Sequence, residues 1–475
     1  MNKLPKPGWW GGSRHRLYTV GVFIILVSLD NAARSVVPPL YAVMARSLAV
    51  SEAALGLITA QNILVVAVTA VGWGYWGDRG DRKRLLLVGT LIWSTATLLT
   101  ATAQTYLQLL VYQLVVAVGV GSIVSVGFSI VTDFIPPYRR GLMLSIWGLF
   151  QGGGGGGGSL LGSLLGATNW RLPFLVIAAA GFGLAVLYAF AYEPKRGGAE
   201  PALAGIFAGG GRYEHRIKLS DLRDILARRS NLWLILQGFL STLAFGALVW
   251  RPRLFIARVE AEGYGLETAT MVGNMLSLLF ESGFYFGLVS GHAGDRWQRR
   301  NPRARAMICT VTSLAAIPFH VALFFIPLTG LAIPDQAGLP AVVLATVTSI
   351  FTNGWVAAAF GVALVAIALA VADGPNRSAL ITDVNLPEHR GTVAGLNTLA
   401  AGLGLALGSA LAGATFGSLS DHFGSPLNFA IGMALFQLFF LPAGLFYYLA
   451  TRSTPGDIET VERTLRARGG AAAGG

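Results

Sequence analysis

Six ionisable side chains stand inside long apolar runs of this chain: Asp30, Arg34, Arg251, Glu281, Asp373 and Arg377. A charge in such a run is costly to keep, so each is a candidate for carrying a proton or holding a charged ligand. Asp30 and Arg34 are four residues apart, which puts them on one helix face where they can pair. Burial and a neighbouring guanidinium act on the Asp30 proton in opposite directions. A change in exposure that alters both terms would take up or release that proton. Glu281 offers a second carboxylate for the same task. The competing readings are a static Asp30–Arg34 pair that locks its helix, and a Glu281 bonded to a neighbouring helix. Arg251 and Arg377, with Arg253, suit an anionic ligand, although Arg251 and Arg253 also stand where long side chains reach out to a polar interface. No nucleophile–base pair and no metal-ligand spacing is visible, and the glycine run 152–158 has no lysine to make a phosphate loop. The reading is therefore no catalytic residue, no metal and no cofactor.

Two charged patterns, each occurring twice, frame these residues. Gly74-Tyr75-Trp76-Gly77-Asp78-Arg79-Gly80-Asp81-Arg82-Lys83 returns as Gly291-His292-Ala293-Gly294-Asp295-Arg296-Trp297-Gln298-Arg299-Arg300. Asp133 through Pro137, Arg140 and Gly141 return as Asp383 through Pro387, Arg390 and Gly391. Two different motifs recurring in one order show a duplicated layout, as transporters built from internal repeats have. The carboxylates Asp78 and Asp295 are expected to meet a neighbouring helix N-terminus and an arginine, and so to latch the inner ends together. Gly74, Arg79, Arg82, Gly291, Arg296, Arg299, Asp133, Arg140, Asp383 and Arg390 share that gating or structural role. A merely topogenic basic loop is the plainer alternative.

The chain has 475 residues, of which 54% are hydrophobic and 12% charged. Runs near the roughly 20 apolar residues that cross a bilayer recur along it. With no water in the lipid core they must be helices. The spans read 17–45, 55–76, 85–103, 107–134, 142–166 and 172–192, then 232–257, 268–292, 304–327, 355–383, 393–419 and 429–450; they are called helices 1 to 12. The domains follow: a tail 1–16, a six-helix bundle 17–192, a linker 193–230, a second bundle 231–451 and a tail 452–475. Within the linker, Leu219, Leu222, Ile225 and Leu226 share a helical face, which suits a helix lying on the membrane or, equally, a solvated one. Residues 328–353 are surplus to the duplication, and 339–351 reads as a re-entrant or interfacial segment. The tail is expected to be disordered at its end. The net charge of +12 would suggest nucleic acid in a soluble protein. Here, of 35 Lys and Arg, all but Arg34, Arg46, Arg171, Arg251, Arg253, Arg258 and Arg377 fall on one side of the alternation. That is the positive-inside pattern. It implies a multi-pass protein of the plasma (inner) membrane with both termini cytoplasmic, and no nucleic-acid partner. One cysteine, Cys309, excludes an intrachain disulfide. No cleavable signal peptide is visible.

The first marker and its echo resemble the signature G-x-x-x-D-[RK]-x-G-x-[RK]-[RK] of the major facilitator superfamily, except that Asp81 and Gln298 replace its second glycine. That departure resembles the Spinster branch, the lysolipid and sphingolipid transporters. Gly246-Ala247-Leu248-Val249-Trp250-Arg251-Pro252 resembles that branch's helix 7, and Gly374-Pro375-Asn376 through Asp383 its helix 10. The resemblance implies an all-α integral membrane protein with 12 transmembrane helices in two pseudo-symmetric six-helix bundles. It implies a cavity lined by helices 1, 4, 7 and 10, with Arg34, Ser122, Arg251, Asp373 and Arg377 as substrate-binding residues. It also implies Asp30 as a proton site, with Glu281 in support. Ser122 replaces the branch's usual glutamate, and Gln113 stands where many relatives have arginine. The expected function is secondary, proton-coupled transport of a lysophospholipid-like amphiphile by a rocker-switch monomer, with membrane lipids and protons as partners. A multidrug or small-metabolite exporter is the alternative, which the glycine-rich helix 5 favours. A non-transporting receptor or scaffold is the third reading.

Overall fold

A computed structural model describes residues 13–166, 169–334 and 338–471, and among them every regular element is helical. Ten of the helical runs are long and apolar enough to cross a membrane. Helix 3, which starts on three cations, and helix 5, which carries the glycine run, complete the twelve.

The chain divides into two compact units. The first holds the described residues up to Leu232, with Ser378–Leu399 and the chain from Thr454 onward. Its helices are Ser13–Ser35, Glu52–Arg79, Arg82–Thr100, the run from Tyr106 to Phe134, Arg140–Gly166 and Leu172–Ala189. Their starts carry the expected caps: Ser51, Asp81 and Thr105 each accept a backbone N–H three residues on. The core is Phe23, Leu26, Trp93, Val116, Phe174 and their neighbours. The second unit is Trp233–Arg377 with Ala400–Ser453, around Phe255, Phe280, Phe324 and Phe416.

Helix 5 shows why so many glycines follow one another. Ideal Cβ atoms on Gly154 and Gly158 would strike the carbonyls of Ser28 and Ala32, and one on Gly162 would approach that of Val36. Glycines one turn apart thus let helix 5 lie against the backbone of helix 1. Gly153, Gly156 and Gly157 face open space. Gly158→Val is therefore expected to cost ~3 kcal/mol through overpacking. Gly157→Ala should instead stabilise slightly, by ~0.5 kcal/mol, through helix propensity. Thermal unfolding of the two variants checks the ordering.

Several helices are broken where the sequence implies continuity. Helix 1 stops at Ser35, turns through Pro38–Leu40 and resumes over Tyr41–Leu48. Helix 7 breaks between Leu248 and Arg251, and helix 10 between Val371 and Asp373, with Pro252 and Pro375 in the first turn of the new segment, where a missing N–H costs nothing. Helix 4 has a π-helical stretch Ile123–Gly127, and helix 8 a 3-10 stretch Phe280–Tyr285 around Glu281; neither contains proline. Of the surplus segment, Leu339–Thr352 is helical.

Two expectations about the polar segments differ from the structure. The last helix does not end near residue 450 but runs Phe440–Ala471. Val461 and Leu465, one turn apart, bury against Leu203, Ile206, Phe207 and Tyr213 of the linker. The extreme end, 472–475, lies outside the described residues. The linker helix is only Asp221–Ala227; Ile225 is buried while Leu219 and Leu226 are exposed.

Candidate functional site

Asp30 lies near the C-terminal end of Ser13–Ser35 with its side chain fully buried, while Arg34, one turn on, is 30% exposed. The pair is loose. Arg34 Nη2 is 3.4 Å from Asp30 Oδ2, and Asp30 Oδ1 has no hydrogen-bond partner among the described residues. A buried carboxylate oxygen without a donor is rare and costly. Helix 5 covers a different face, at Ser28, Ala32 and Ser35, where Ser28 Oγ donates to the Phe150 carbonyl and Ser159 Oγ to that of Ser35.

Ser122 is not brought to this pair. Its hydroxyl donates back to the Gly119 carbonyl at 2.8 Å, and it packs against Gly89 of helix 3. Gln113 is likewise absorbed between helices, donating to Thr100 Oγ1 while its own carbonyl accepts from Asn62.

In the second unit the charges are mostly paired. Arg251, at the break of helix 7, forms an ion pair with Glu281 in the 3-10 stretch of helix 8; the arginine is buried and the glutamate 49% exposed. Arg253 pairs with Glu260 at 2.9 Å. Asp373 accepts from Tyr447 of helix 12 at 2.7 Å, and its carbonyl lies 3.7 Å from the Cys309 thiol of helix 9. Arg377 donates to the Leu234 carbonyl at 3.1 Å beside Gly238. His320 keeps to its own helix, at 3.1 Å from the Ala316 carbonyl.

Three of the four motif copies, at 74–83, 133–141 and 383–391, converge in the first unit, and the fourth, at 291–300, lies in the second. Asp78 is fully buried and accepts the N–H groups of Gly391 at 3.0 Å and Thr392 at 2.6 Å, the first turn of Arg390–Ser420. A carboxylate there neutralises two orphan donors and meets the positive end of the helix. Arg196 stands 3.7 Å from it. Gly74 needs its hydrogen, because a Cβ would strike the Gly391 carbonyl. Asp133 takes Arg82 at 2.5 Å, Arg390 at 3.3 Å and the Gly197 N–H at 3.0 Å. Arg140 pairs with Asp383 at 2.6 Å. Asp295 pairs with Arg305 at 2.7 Å, on the helix that follows it. Gly291 is buried, and Arg79, Arg296 and Arg299 are exposed.

One member of this cluster is absent from the sequence reading. Glu200, in the linker, forms ion pairs with both Arg140 and Arg390. It closes a buried chain Arg82–Asp133–Arg390–Glu200–Arg140–Asp383 with three charges of each sign. Burial alone would raise the Glu200 pKa; the two guanidiniums outweigh it and hold the carboxyl at about 2. The signal in the sequence is that Glu200 is the lone acid between Pro194 and Tyr213.

The positions that depart from the usual marker glycine also acquire a reason. Asp81 accepts the Arg84 N–H at 3.0 Å and Gln298 accepts the Arg305 N–H at 3.2 Å. Each replaces a flexible residue with a cap for the next helix.

A cavity of about 340 Å³ opens between the ends of helices 1, 4 and 5, walled by Phe23, Ile24, Phe134, Met143 and Trp147, with Tyr138 and Arg139 on its rim. Its size and lining suit an apolar chain with a polar end.

The chain belongs to the major facilitator superfamily, whose family model matches residues 23–372. It is 28% identical over 292 residues to the zebrafish (Danio rerio) sphingosine-1-phosphate transporter SPNS2, covering 58% of this chain and 56% of that protein. The match thus spans about half the length of this relative (56%). Among solved structures, the chain resembles a bacterial homologue of the human lysosomal transporter Spinster in an inward-facing, unoccupied conformation. The TM-score is 0.58 at 21% identity, covering 94% of this chain and 99% of that one. It resembles the proton:xylose symporter XylE with a TM-score of 0.62 at 14% identity, covering 92% and 96% of the two chains. These structures show the fold. The sequence relatives agree with the Spinster-like motifs, and the chain is a multi-pass membrane protein of this transporter family rather than an enzyme.

Proposed function

We propose that this protein moves a lysophospholipid-like amphiphile across the plasma (inner) membrane as a monomer with both termini cytoplasmic, by rocker-switch alternating access coupled to protons. The apolar cavity with an arginine on its rim carries the substrate reading: a sugar site would need a polar lining, whereas an acyl chain needs the phenylalanines and tryptophan found here. The zebrafish relative SPNS2 is a sphingosine-1-phosphate transporter, which points the same way. None of Arg34, Arg251 and Arg377 lines this cavity; each, within its own unit, is a separate candidate cation for the headgroup, with Ser122 and Asp373 positioning their helices. Asp30 is the proton carrier, because its buried carboxylate has one oxygen unsatisfied and the other only loosely held. Glu281, half exposed beside Arg251, exchanges partners when substrate arrives. Asp78 and the ion-pair chain from Arg82 to Asp383 form the latch that must open for the halves to rock; Asp295 with Arg296 and Arg299 is its counterpart.

The test offers labelled lysophosphatidylethanolamine, a cationic dye and a sugar to the protein in proteoliposomes under an imposed pH gradient. Flux of the lysolipid alone is expected. Dye flux without lysolipid flux would reject the substrate and favour a multidrug exporter of the same fold.

A further inference from the structure

We propose that the cavity between the first marker loop and the linker is a binding site for a phosphate-bearing anion. This goes beyond transport of the amphiphile and does not depend on it. The cavity measures about 440 Å³ and lies where Gly80, Asp81 and Arg82 face the linker at Glu193–Arg196 and Arg212–Arg216. Its walls carry five cations and two carboxylates.

The carboxylates are already engaged. Glu193 pairs with Arg82 at 3.2 Å, and Asp81 pairs with Arg84 at 3.1 Å while capping helix 3. The remaining cations are held mainly by neutral groups. Arg196 donates to the carbonyls of Gly77 and Asp78 at 2.9 and 2.7 Å, with the Asp78 carboxylate further off at 3.7 Å. Arg216 donates to the carbonyls of Arg79 and Gly80, both at 3.0 Å. Lys195 reaches the Gly211 carbonyl at 3.3 Å. Arg212 is exposed and makes no ion pair among the described residues.

Carbonyls orient these guanidiniums but leave their charge in place. Burial is the main reason the Arg196 pKa falls to about 10; Arg82 and Arg216 lower it further, against the opposing pull of Asp78 and Asp133. A loop that is basic only to fix membrane orientation would keep its cations in solvent; Arg196 is buried. A phosphate group brings close to two negative charges and several acceptor oxygens, which match fixed guanidinium forks. It would touch both walls at once. Binding would therefore stabilise the arrangement in which the linker sits on the marker loop, and by linkage lower the population in which it is open.

The phosphate can come from a soluble compound or from an anionic lipid headgroup, and the experiment separates them. Full-length protein in phosphatidylcholine nanodiscs is titrated with pyrophosphate at constant ionic strength, and its thermal midpoint is followed. In the second arm part of the phosphatidylcholine is replaced by phosphatidic acid. Arg212→Gln removes a cation with no internal ion pair, so folding is preserved. Arg300→Gln removes an exposed cation at the second marker loop and serves as the charge-matched control. A midpoint that rises with pyrophosphate, with affinity about tenfold weaker in Arg212→Gln, the loss of one charge-assisted contact, supports a soluble phosphate. A rise only with phosphatidic acid, cancelled by Arg212→Gln and kept by Arg300→Gln, supports a lipid headgroup. The proposal is overturned if neither probe stabilises the wild type, or if the two variants respond alike.

Discussion

Asp30→Asn is expected to lower lysolipid flux driven by a pH gradient at least tenfold, while leaving the protein folded. The substitution keeps the shape of the side chain and removes its ability to exchange a proton. Breaking a buried ion pair usually costs about 3–5 kcal/mol, because it strands the partner charge. Here the cost is smaller, since Arg34 is 30% exposed and its hydrogen bond to Asp30 is already long at 3.4 Å. A folded but uncoupled variant is thus the expected phenotype, read as intact thermal unfolding alongside lost gradient-driven flux. If Asp30 were only a lock on helix 1, Asp30→Asn would loosen the fold and leave the gradient dependence of the remaining flux unchanged.

The second large effect is expected at Glu200. Glu200→Ala leaves Arg140 and Arg390 buried with one carboxylate each, Asp383 and Asp133, and one positive charge in excess. The gap between the ordinary 4.5 and about 2 for this carboxyl corresponds to ~3 kcal/mol at neutral pH. Loss of that amount raises the population with a detached linker roughly a hundredfold. Tryptic cleavage at the exposed linker arginines Arg212 and Arg216 should accelerate accordingly, with Asp421→Asn, an exposed acid, as the silent control. The sign of the pH dependence follows. Because the folded pKa is depressed, the contribution is complete above about pH 4.5 and is lost as pH falls towards 2. Wild-type protein should therefore become more sensitive to acid-active proteases across that window, and Glu200→Ala should not change with it. Equal cleavage of wild type and Glu200→Ala at neutral pH would show that the linker is held by something else.

The helices themselves were legible because the apolar runs are long and the loops between them are basic or capped. Pro38, Pro252 and Pro375 permit bending within runs that read as single spans, and the breaks fall beside them because proline has one comfortable site at a helix start. The π-helical stretch after Ser122 and the 3-10 stretch at Glu281 could not be read from the residues, because they answer to packing against other helices. The same holds for partners far apart in sequence. Nothing local tells that Arg251 finds Glu281, that Asp373 turns to Tyr447, or that Ser122 closes on Gly119. Glu200 stood out only as an isolated acid in a basic linker, and its partners come from both copies of a repeated motif. The terminal helix was missed because its charged residues mask Val461 and Leu465, whose spacing becomes meaningful once the linker supplies a surface. In the glycine run, the sequence shows a string, while the structure separates the glycines that touch helix 1 from those that face open space.

Proton movement during transport tests the account at its centre. Protein is reconstituted in liposomes loaded with a pH-sensitive dye, and lysophosphatidylethanolamine is added without any imposed gradient. The account predicts a change of internal pH that accompanies lysolipid flux in the wild type and is absent in Asp30→Asn. Lysolipid flux at full rate with no change of internal pH would contradict it.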